Sequence, residues 1–274
     1  MVKVIIFNDT QNFNGSLNFI NDRLTRNEKR FWNYKKYIPF LLEKIKSLDG
    51  FDDINLQLIK TNFYEGRYSS NIIKNFEWGC HKEISKINKM ISKEQNLLNV
   101  ISQTKVPNML RRKINRHVED IRKDLIKEKE EYYRKIKKQN RNLEGQKKLF
   151  NKLESSPLID IKSTPLKQSE GKIYQKGVDV LLATDLVHLA HTNSYDIAII
   201  LSGDTDLLEA VKLIKNLGKI PIIISYHTPG IPRESNISDL MGVGKFINLR
   251  ELSEEEIGKM SDKRKDNNSN REQS

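Results

Sequence analysis

The feature that most constrains the fold is a pair of apolar runs in the second half of the sequence, separated by one amphipathic segment. Residues 196–201 and 220–225 predict buried strands, and residues 206–217 between them predict a helix that ends at Gly218. Strands joined by a helix of this length usually lie parallel, with a right-handed crossover. This part of the chain therefore predicts an α/β domain built on a parallel sheet.

The beginning of the sequence predicts more of the same architecture. An apolar, β-branched strand at 2–7 and a second strand at 54–59 enclose a helical stretch, which gives a first β-α-β crossover. Further predicted elements are a helix at 176–190 and a last short strand at 246–249. The segment 63–66 is interpreted as the loop that leaves the second strand.

The middle of the sequence differs in kind. From about residue 82 to 153 it has no strand signal and carries apolar residues at helical spacing, interrupted by Pro107. We expect two long helices that form an antiparallel hairpin inserted at 81–140, although Gly145 makes an unbroken second helix doubtful. The domain itself is expected at 1–80 and 141–252, and the polar segment 253–274 is expected to be disordered.

Composition excludes several classes of protein. The chain of 274 residues has a formal net charge of +12, which favours polyanionic partners such as RNA. Most of that excess lies between Arg111 and Lys148, where we count fifteen Lys and Arg against seven Asp and Glu. The single cysteine, Cys80, excludes a disulfide framework and a thiolate metal site. The sequence has no membrane-length apolar run and no signal-peptide pattern, so we expect a cytoplasmic protein.

Four carboxylates are predicted to meet at one edge of the sheet. Asp9 follows the first strand, and Asp204 and Asp206 follow the strand at 196–201. Asp179 lies in the first turn of the helix that leads into that strand, and such a helix begins at the edge where parallel strands end. Clustered carboxylates repel one another unless a cation neutralises them, and oxygen ligands favour Mg²⁺ or Mn²⁺. The implied chemistry is metal-assisted hydrolysis of a phosphodiester bond.

Three motifs around these aspartates resemble a known family. Residues 6–13 (IFNDTQNF), residues 176–180 (KGVDV) with Asp185, and residues 202–207 (SGDTDL) are similar to the motifs of the NYN domain, specifically its LabA-like branch. The resemblance covers roughly residues 1–75 and 140–250. It implies a PIN-like fold, a parallel sheet flanked by helices, and a metal-dependent ribonuclease. Carried over by position, Asp9, Asp179, Asp204 and Asp206 would hold the metal, and Asn12 would fix the first loop near it.

The sequence departs from the family pattern at two positions. Thr10 stands where the family usually has glycine after the first aspartate. Gly244 stands where the family often has an acidic residue, so a ligand from that segment is missing unless Asp239 replaces it. Both departures favour an alternative, in which the protein is a non-catalytic RNA-binding or regulatory adaptor that keeps the fold.

Other residues near the motifs rank lower. Asn12, Lys176, Asp185 and Ser202 form a second rank, since Lys176 could meet a phosphate and Asp185 lies about 240° around its helix from Asp179. His188 and His191 are interpreted as surface residues. Asp206 with Glu209 also matches a helix capping box, and Asp179 also suits a helix N-terminus without any metal.

The basic hairpin has two interpretations. It could bind RNA through its cationic side chains, with Arg111, Arg112, Lys113 and Arg116 as candidates, or it could associate with a second copy as a coiled coil. A second basic patch contains the aromatic residues Trp32, Tyr34 and Tyr37. Those rings could stack on bases, but aromatic residues at this spacing are more often core residues.

Overall fold

The computed structural model describes residues 1–25, 28–169, 171–228 and 237–263. Its strands are β1 Val2–Asp9, β2 Arg30–Trp32, β3 Leu56–Arg67, β4 Ile159–Pro165, β5 Lys167–Ser169, β6 Lys172–Tyr174, β7 Ile197–Leu201, β8 Ile220–Ser225, β9 Lys245–Asn248 and β10 Ser261–Lys263. Its helices are α1 Thr10–Asn21, α2 Tyr34–Lys46, α3 Ser70–Gln103, α4 Asn108–Glu154, α5 Val178–His191, α6 Leu208–Asn216, α7 Ile237–Val243 and α8 Glu254–Met260.

A six-stranded sheet in the order β4-β3-β1-β7-β8-β9 forms the centre of the fold. The pairings of β1 with β3 and β7, of β7 with β8 and of β8 with β9 are all parallel. β1 and β7 therefore lie side by side in the middle, and their carboxyl ends meet at the same edge. The predicted α/β fold with a parallel sheet flanked by helices is confirmed.

The central strands are apolar because both of their faces are covered. Every residue of β7 is buried, as are Val4, Ile5, Ile6 and Phe7 of β1. One face packs against α5 and α6, through Leu182, Leu186 and Val211. The residues that follow β1 and β7 are therefore attached to fully buried strands.

The chain divides into two compact units. The first comprises Met1–Glu65, Leu153–Thr164 and the described residues from Gly177 onward, and the second comprises Gly66–Lys152 and Pro165–Lys176. The second unit contains the helical hairpin and is larger than the predicted insertion at 81–140. The reason is that α3 begins at Ser70 and α4 continues to Glu154.

The hairpin is confirmed as two long helices, with the break at the predicted proline. Hydrogen bonds join Asn140 to Glu77, Lys129 to Asn88 and Arg122 to Gln95, so the two helices advance in opposite directions by equal steps. The doubt that Gly145 raised about the second helix is not borne out, because α4 passes through it without interruption. None of the helices in the described residues is long and apolar enough to cross a membrane.

Two predictions about loops are wrong. Residues 63–66 are not an exit loop, because β3 continues to Arg67 and buries Phe63 and Tyr64. The disorder predicted from 253 is wrong as far as Lys263: Ser253 and Glu256 form a capping box on α8, and Met260 is fully buried. Residues 264–274 of that predicted tail lie outside the described residues.

Candidate metal centre

Three of the four predicted aspartates meet at the carboxyl edge of the sheet. Asp9, Asp179 and Asp204 each offer one carboxylate oxygen, and these oxygens lie within 4.8 Å of one another. Ligand oxygens on opposite sides of a Mg²⁺ or Ca²⁺ ion lie about 4–5 Å apart, given bonds of ~2.1–2.6 Å. The spacing therefore fits a single divalent cation with oxygen ligands, and the residues present suit such an ion.

Asp9 is the most constrained of the three. It is the last residue of β1 and at the same time the N-cap of α1, where its Oδ1 accepts a hydrogen bond of 3.1 Å from the backbone N–H of Asn12. Its Oδ2 accepts another of 3.1 Å from the hydroxyl of Ser202. With only 3% of its surface exposed, Asp9 has its carboxylate fixed from both sides.

Ser202 and Asn12 connect the segments that carry the aspartates. The Ser202 hydroxyl donates to Asp9 and accepts from the backbone N–H of Asp204 at 3.1 Å. The Asn12 side-chain oxygen accepts from the backbone N–H of Gly203 at 2.9 Å. Both second-rank residues thus hold the loop after β7 against the start of α1, and a sequence pattern of types alone does not reveal such a connection.

Glycines at two positions allow the aspartates to approach one another. Gly177, the N-cap of α5, has φ +82°, a left-handed conformation that favours glycine and that sets the start of the helix carrying Asp179. Gly203 lies so close to β8 that an added Cβ would be 2.3 Å from the Ser225 hydroxyl. A side chain at residue 203 would force Ser225 to move, so the glycine allows the loop that carries Asp204 to lie close to β8.

The electrostatics of the cluster favour a cation. Burial raises the pKa of Asp9 to about 6, and the nearby carboxylates of Asp179 and Asp204 add to the rise, although the hydrogen bonds from Asn12 and Ser202 oppose it. The pKa of Asp179 is also raised, first by burial and then by Asp204 and Asp206. A bound divalent ion would offset this repulsion and stabilise the ionised carboxylates.

Asp206, the fourth predicted ligand, lies outside the group of three. It is exposed in the short 3-10 turn Thr205–Leu207, and its backbone N–H donates a hydrogen bond of 3.0 Å to Asp204 Oδ1. Its carboxylate is near enough to raise the pKa of Asp179. Asp206 therefore lies beside the cluster, with its side chain directed to solvent.

The two departures from the family pattern have different structural outcomes. An added Cβ at Gly244 would lie 2.7 Å from the carbonyl oxygen of Pro221, so no side chain fits there. Asp239, the proposed replacement, is exposed on α7 and is not in the three-carboxylate group. Thr10 is accommodated as the first residue of α1, and its buried hydroxyl has no hydrogen-bond partner among the described residues.

The family comparison is consistent with this site. The model of the NYN domain matches residues 99–239, just over half of the 274 residues. The chain belongs to the NYN domain family. This is a family of PIN-like nucleases, as the motifs predicted. The matched range contains Asp179 and Asp204 but not Asp9. It also includes all of α4, whereas the motifs resemble the family over roughly residues 1–75 and 140–250.

Two proteins similar to this NYN protein have no assigned function. An uncharacterized protein, y4oD, from Sinorhizobium fredii is 32% identical over 91 residues, which cover 30% of this chain and 42% of the relative. The chain thus matches less than half of that relative's length. A crystal structure of VPA0982, a protein of unknown function from Vibrio parahaemolyticus, aligns with a TM-score of 0.44 and 12% identity, covering 90% of this chain and 93% of that one.

The group of three carboxylates does not include Asp185, the further candidate of the second motif. Asp185 accepts a hydrogen bond of 3.1 Å from the Tyr64 hydroxyl and lies 3.9 Å from the ammonium of Lys162. Lys176 is the last residue of the second unit, directly before Gly177. His188 and His191 are exposed in the last turn of α5, in agreement with their interpretation as surface residues.

The two predicted basic patches differ in how exposed their side chains are. Among the hairpin candidates, Arg112, Lys113 and Arg116 are exposed on α4, whereas Arg111 donates a hydrogen bond of 2.9 Å to the Thr104 carbonyl and so closes the turn. The aromatic patch near the first motif belongs to the core. Tyr34 and Tyr37 are buried, and Trp32 stacks on Phe13 and donates its indole N–H to the Phe13 carbonyl.

Proposed function

We propose that this protein is a metal-dependent ribonuclease of the LabA-like branch, which hydrolyses RNA phosphodiester bonds with a Mg²⁺ or Mn²⁺ ion held by Asp9, Asp179 and Asp204. The observation that carries the proposal is the approach of three carboxylate oxygens within 4.8 Å at the carboxyl edge of the sheet. Ligands of open parallel sheets bind at this edge. Membership of a PIN-like nuclease family gives the cluster its chemical context.

The protein's own groups have separate tasks in this reaction. When bound, the ion supplies a Lewis acid that lowers the pKa of a water and stabilises charge on the phosphate. Asp9 fixes one side of the cluster, because its carboxylate is held by both Asn12 and Ser202. Asp206 contributes its exposed carboxylate as the outer ligand or as an acceptor for water, and Lys176 remains a predicted phosphate contact.

The first experiment is cleavage of a labelled pool of single-stranded RNA with Mn²⁺, Mg²⁺ or EDTA. We expect metal-dependent cleavage by the wild-type protein and its loss, by a factor of roughly 10² or more, in Asp204→Asn. Asp239→Asn is the matched control, since it removes an exposed carboxylate outside the cluster. Equal cleavage by the wild type and Asp204→Asn would refute the assignment.

A non-catalytic RNA-binding adaptor is the second candidate, and the surroundings of Gly244 favour it. No acidic side chain fits at that position, and the metal cluster in the described residues has three carboxylates. An adaptor would retain RNA uncut in every metal, with an affinity that falls steeply as salt rises. Retention without cleavage by both the wild type and Asp204→Asn would favour this function over the nuclease.

The hairpin is proposed to serve RNA binding, self-association or both, and two sets of variants separate these roles. Exposed cations at Arg112, Lys113 and Arg116 support RNA binding, and exposed apolar side chains near the turn, such as Val100 (60% exposed) and Met109 (72%), support association of two copies. We expect Arg112→Gln with Arg116→Gln to weaken RNA binding at unchanged mass. Val100→Gln with Met109→Gln should lower the mass in sedimentation, and each pair is the control for the other.

A further inference from the structure

The first unit contains a cavity of about 290 Å³ that none of the motifs includes. Its walls come from the end of α1, from the residues that follow β8 and β9, and from α8 and its neighbours, among them Ile20, Tyr226, Leu249 and Ile257. The volume is close to the lower limit of ordinary ligand pockets, about 300 Å³. All of these walls belong to one compact unit.

The cavity opens along the same sheet edge as the carboxylates. Tyr226 directly follows β8 and Leu249 directly follows β9, and both strands are parallel to β7. The loop that holds Asp204 contacts the end of β8, where Gly203 approaches Ser225. The cavity therefore continues the line of strand ends that begins at Asp9.

The length of helix α1 gives the distance between the cavity and the three carboxylates. It begins at Thr10, next to Asp9, and Ile20 near its other end lines the cavity. Ten residues of α-helix span ~15 Å, so the cavity lies about that far from the carboxylates. At the ~3.4 Å spacing of a helical nucleic-acid strand, this distance corresponds to about four nucleotides at most, since a more extended unpaired strand spans it with fewer.

The lining combines an apolar floor with cationic side chains. Six apolar or aromatic residues are accompanied by four cations and two acids; the charged residues are Arg23, Arg30, Arg250, Lys263, Glu28 and Glu254. Arg30 and Lys263 attract Glu28 and help to lower its pKa, whereas Arg23 and Arg250 form no salt bridge within the part of the chain that the structure describes. The cavity therefore has an excess of positive charge for an anionic ligand.

An aromatic surface adjoins the cations. The ring of Tyr226 stacks on that of Phe19, with centroids 5.2 Å apart, and the Arg23 guanidinium lies 5.4 Å from the Tyr226 centroid. Phe19 is 51% exposed although it is a large apolar residue. Aromatic rings beside arginines are the usual means by which proteins bind single-stranded nucleic acid.

We propose that this cavity binds a nucleotide of the same RNA strand whose scissile phosphate lies at the three aspartates, no more than about four nucleotides away. The apolar lining takes the base, the exposed ring of Phe19, which Tyr226 supports from behind, lies beside it, and Arg23 and Arg250 take the neighbouring phosphates. This inference rests on the proposed function, since it assigns the second binding site of that substrate. It makes the enzyme selective for unpaired RNA long enough to reach both sites.

The test measures binding of labelled single-stranded RNA of about 15 nucleotides and of about 3 nucleotides to the full chain in EDTA, where no metal-dependent cleavage occurs. For Arg23→Gln with Arg250→Gln we expect roughly fivefold weaker binding of the longer RNA. The slope of log affinity against log salt should fall by about 1.4, the equivalent of two phosphates of a single strand. Binding of the shorter RNA should weaken as well, because three nucleotides suffice to occupy the cavity and because the clustered carboxylates repel a phosphate when no metal is present.

A charge-matched control is Lys46→Gln with Lys215→Gln, whose lysines are exposed in the last turns of α2 and α6, at the opposite edge of the sheet. If the cavity and control variants bind the longer RNA like the wild type, the inference is wrong. Equal weakening by the control would also overturn it, since net charge alone would then suffice. If the wild type cleaves no RNA but the cavity variant alone loses binding, the nuclease assignment fails and the nucleotide site stands.

Discussion

The buried carboxylate of Asp9 lowers the stability of the metal-free protein at neutral pH, and a bound cation would offset this destabilisation. Its pKa of about 6 in the folded state exceeds the ~3.9 of an unfolded aspartate, so the folded protein binds more protons between these values. The contribution of Asp9 to the stability of the metal-free protein therefore falls as pH rises from about 4 to about 6. Above that range the ionised, buried carboxylate costs on the order of 3 kcal/mol.

We therefore expect Asp9→Asn to stabilise the metal-free protein at neutral pH and to lose this advantage near pH 4. Urea denaturation after dialysis against EDTA, at several pH values, measures the difference. Asp52→Asn is a control, because that carboxylate is exposed between α2 and β3. An advantage of Asp9→Asn that does not change with pH would show that the carboxylate is not the source.

At residue 244 the neighbouring backbone leaves no room for the acidic side chain that the family often has. We expect Gly244→Asp to destabilise the protein by about 1–3 kcal/mol and to add no metal affinity, because its Cβ would lie 2.7 Å from the Pro221 carbonyl. Thermal unfolding and a Mn²⁺ titration check the two parts. Gly242→Ala on α7 is the matched control and should be neutral or slightly stabilising, since nothing lies within 4 Å of its added Cβ. Tighter Mn²⁺ binding by Gly244→Asp would contradict the steric argument.

At the scale of elements, α4 allows a direct test of helix propensity. Gly145 lies in the interior of this helix, with no atom within 4 Å of an added Cβ, and we expect Gly145→Ala to stabilise the protein by about 0.5–1 kcal/mol. Denaturant unfolding followed by circular dichroism measures the change. Gly177→Ala should have the opposite sign, because φ at that residue is +82°. Loss of stability in Gly145→Ala would mean that the helix needs flexibility there.

Sequence patterns predicted the strands that are apolar throughout. They did not predict elements such as α1, which are stabilised by contacts with other parts of the chain. The apolar runs of β1, β7 and β8 are typical of strands that are buried on both faces. α1 was missed because its sequence, TQNFNGSLNFIN, is rich in poor helix formers. It forms because Asp9 caps it and because Phe13 and Leu17 are buried on one side.

The same distinction applies to the site. The approach of Asp9, Asp179 and Asp204 follows from strand order and from the edge at which α5 begins, and both could be predicted from the chain. The role of Ser202 as a connection and the outward direction of Asp206 depend on rotamers, and the cavity beside Tyr226 depends on α8, which the sequence did not indicate. These features arise from contacts between distant segments.

At the scale of the whole molecule, we expect metal binding to raise the free energy of unfolding of the first unit. Its ligands come from three distant segments, so an ion bound only by the folded protein stabilises all of them together. At a concentration of Mn²⁺ about 100 times its Kd, the gain is about 2.7 kcal/mol. Thermal unfolding with Mn²⁺ and with EDTA measures this gain, and Asp179→Asn should abolish it. An equal gain in that variant would place the ion elsewhere.

The central position of β1 in the sheet has a consequence for synthesis on the ribosome. β1 is made about 190 residues before its neighbour β7, and the whole hairpin is made between them. At about 5–20 residues per second, the apolar edge of β1 stays uncovered for roughly 10–40 s. During that time β1 can pair with β3, but its other edge has no partner, and unpaired strand edges make incompletely folded chains prone to aggregation. The cluster of three carboxylates, in which Asp9 ends β1 and Asp204 follows β7, also cannot form until β7 has been made.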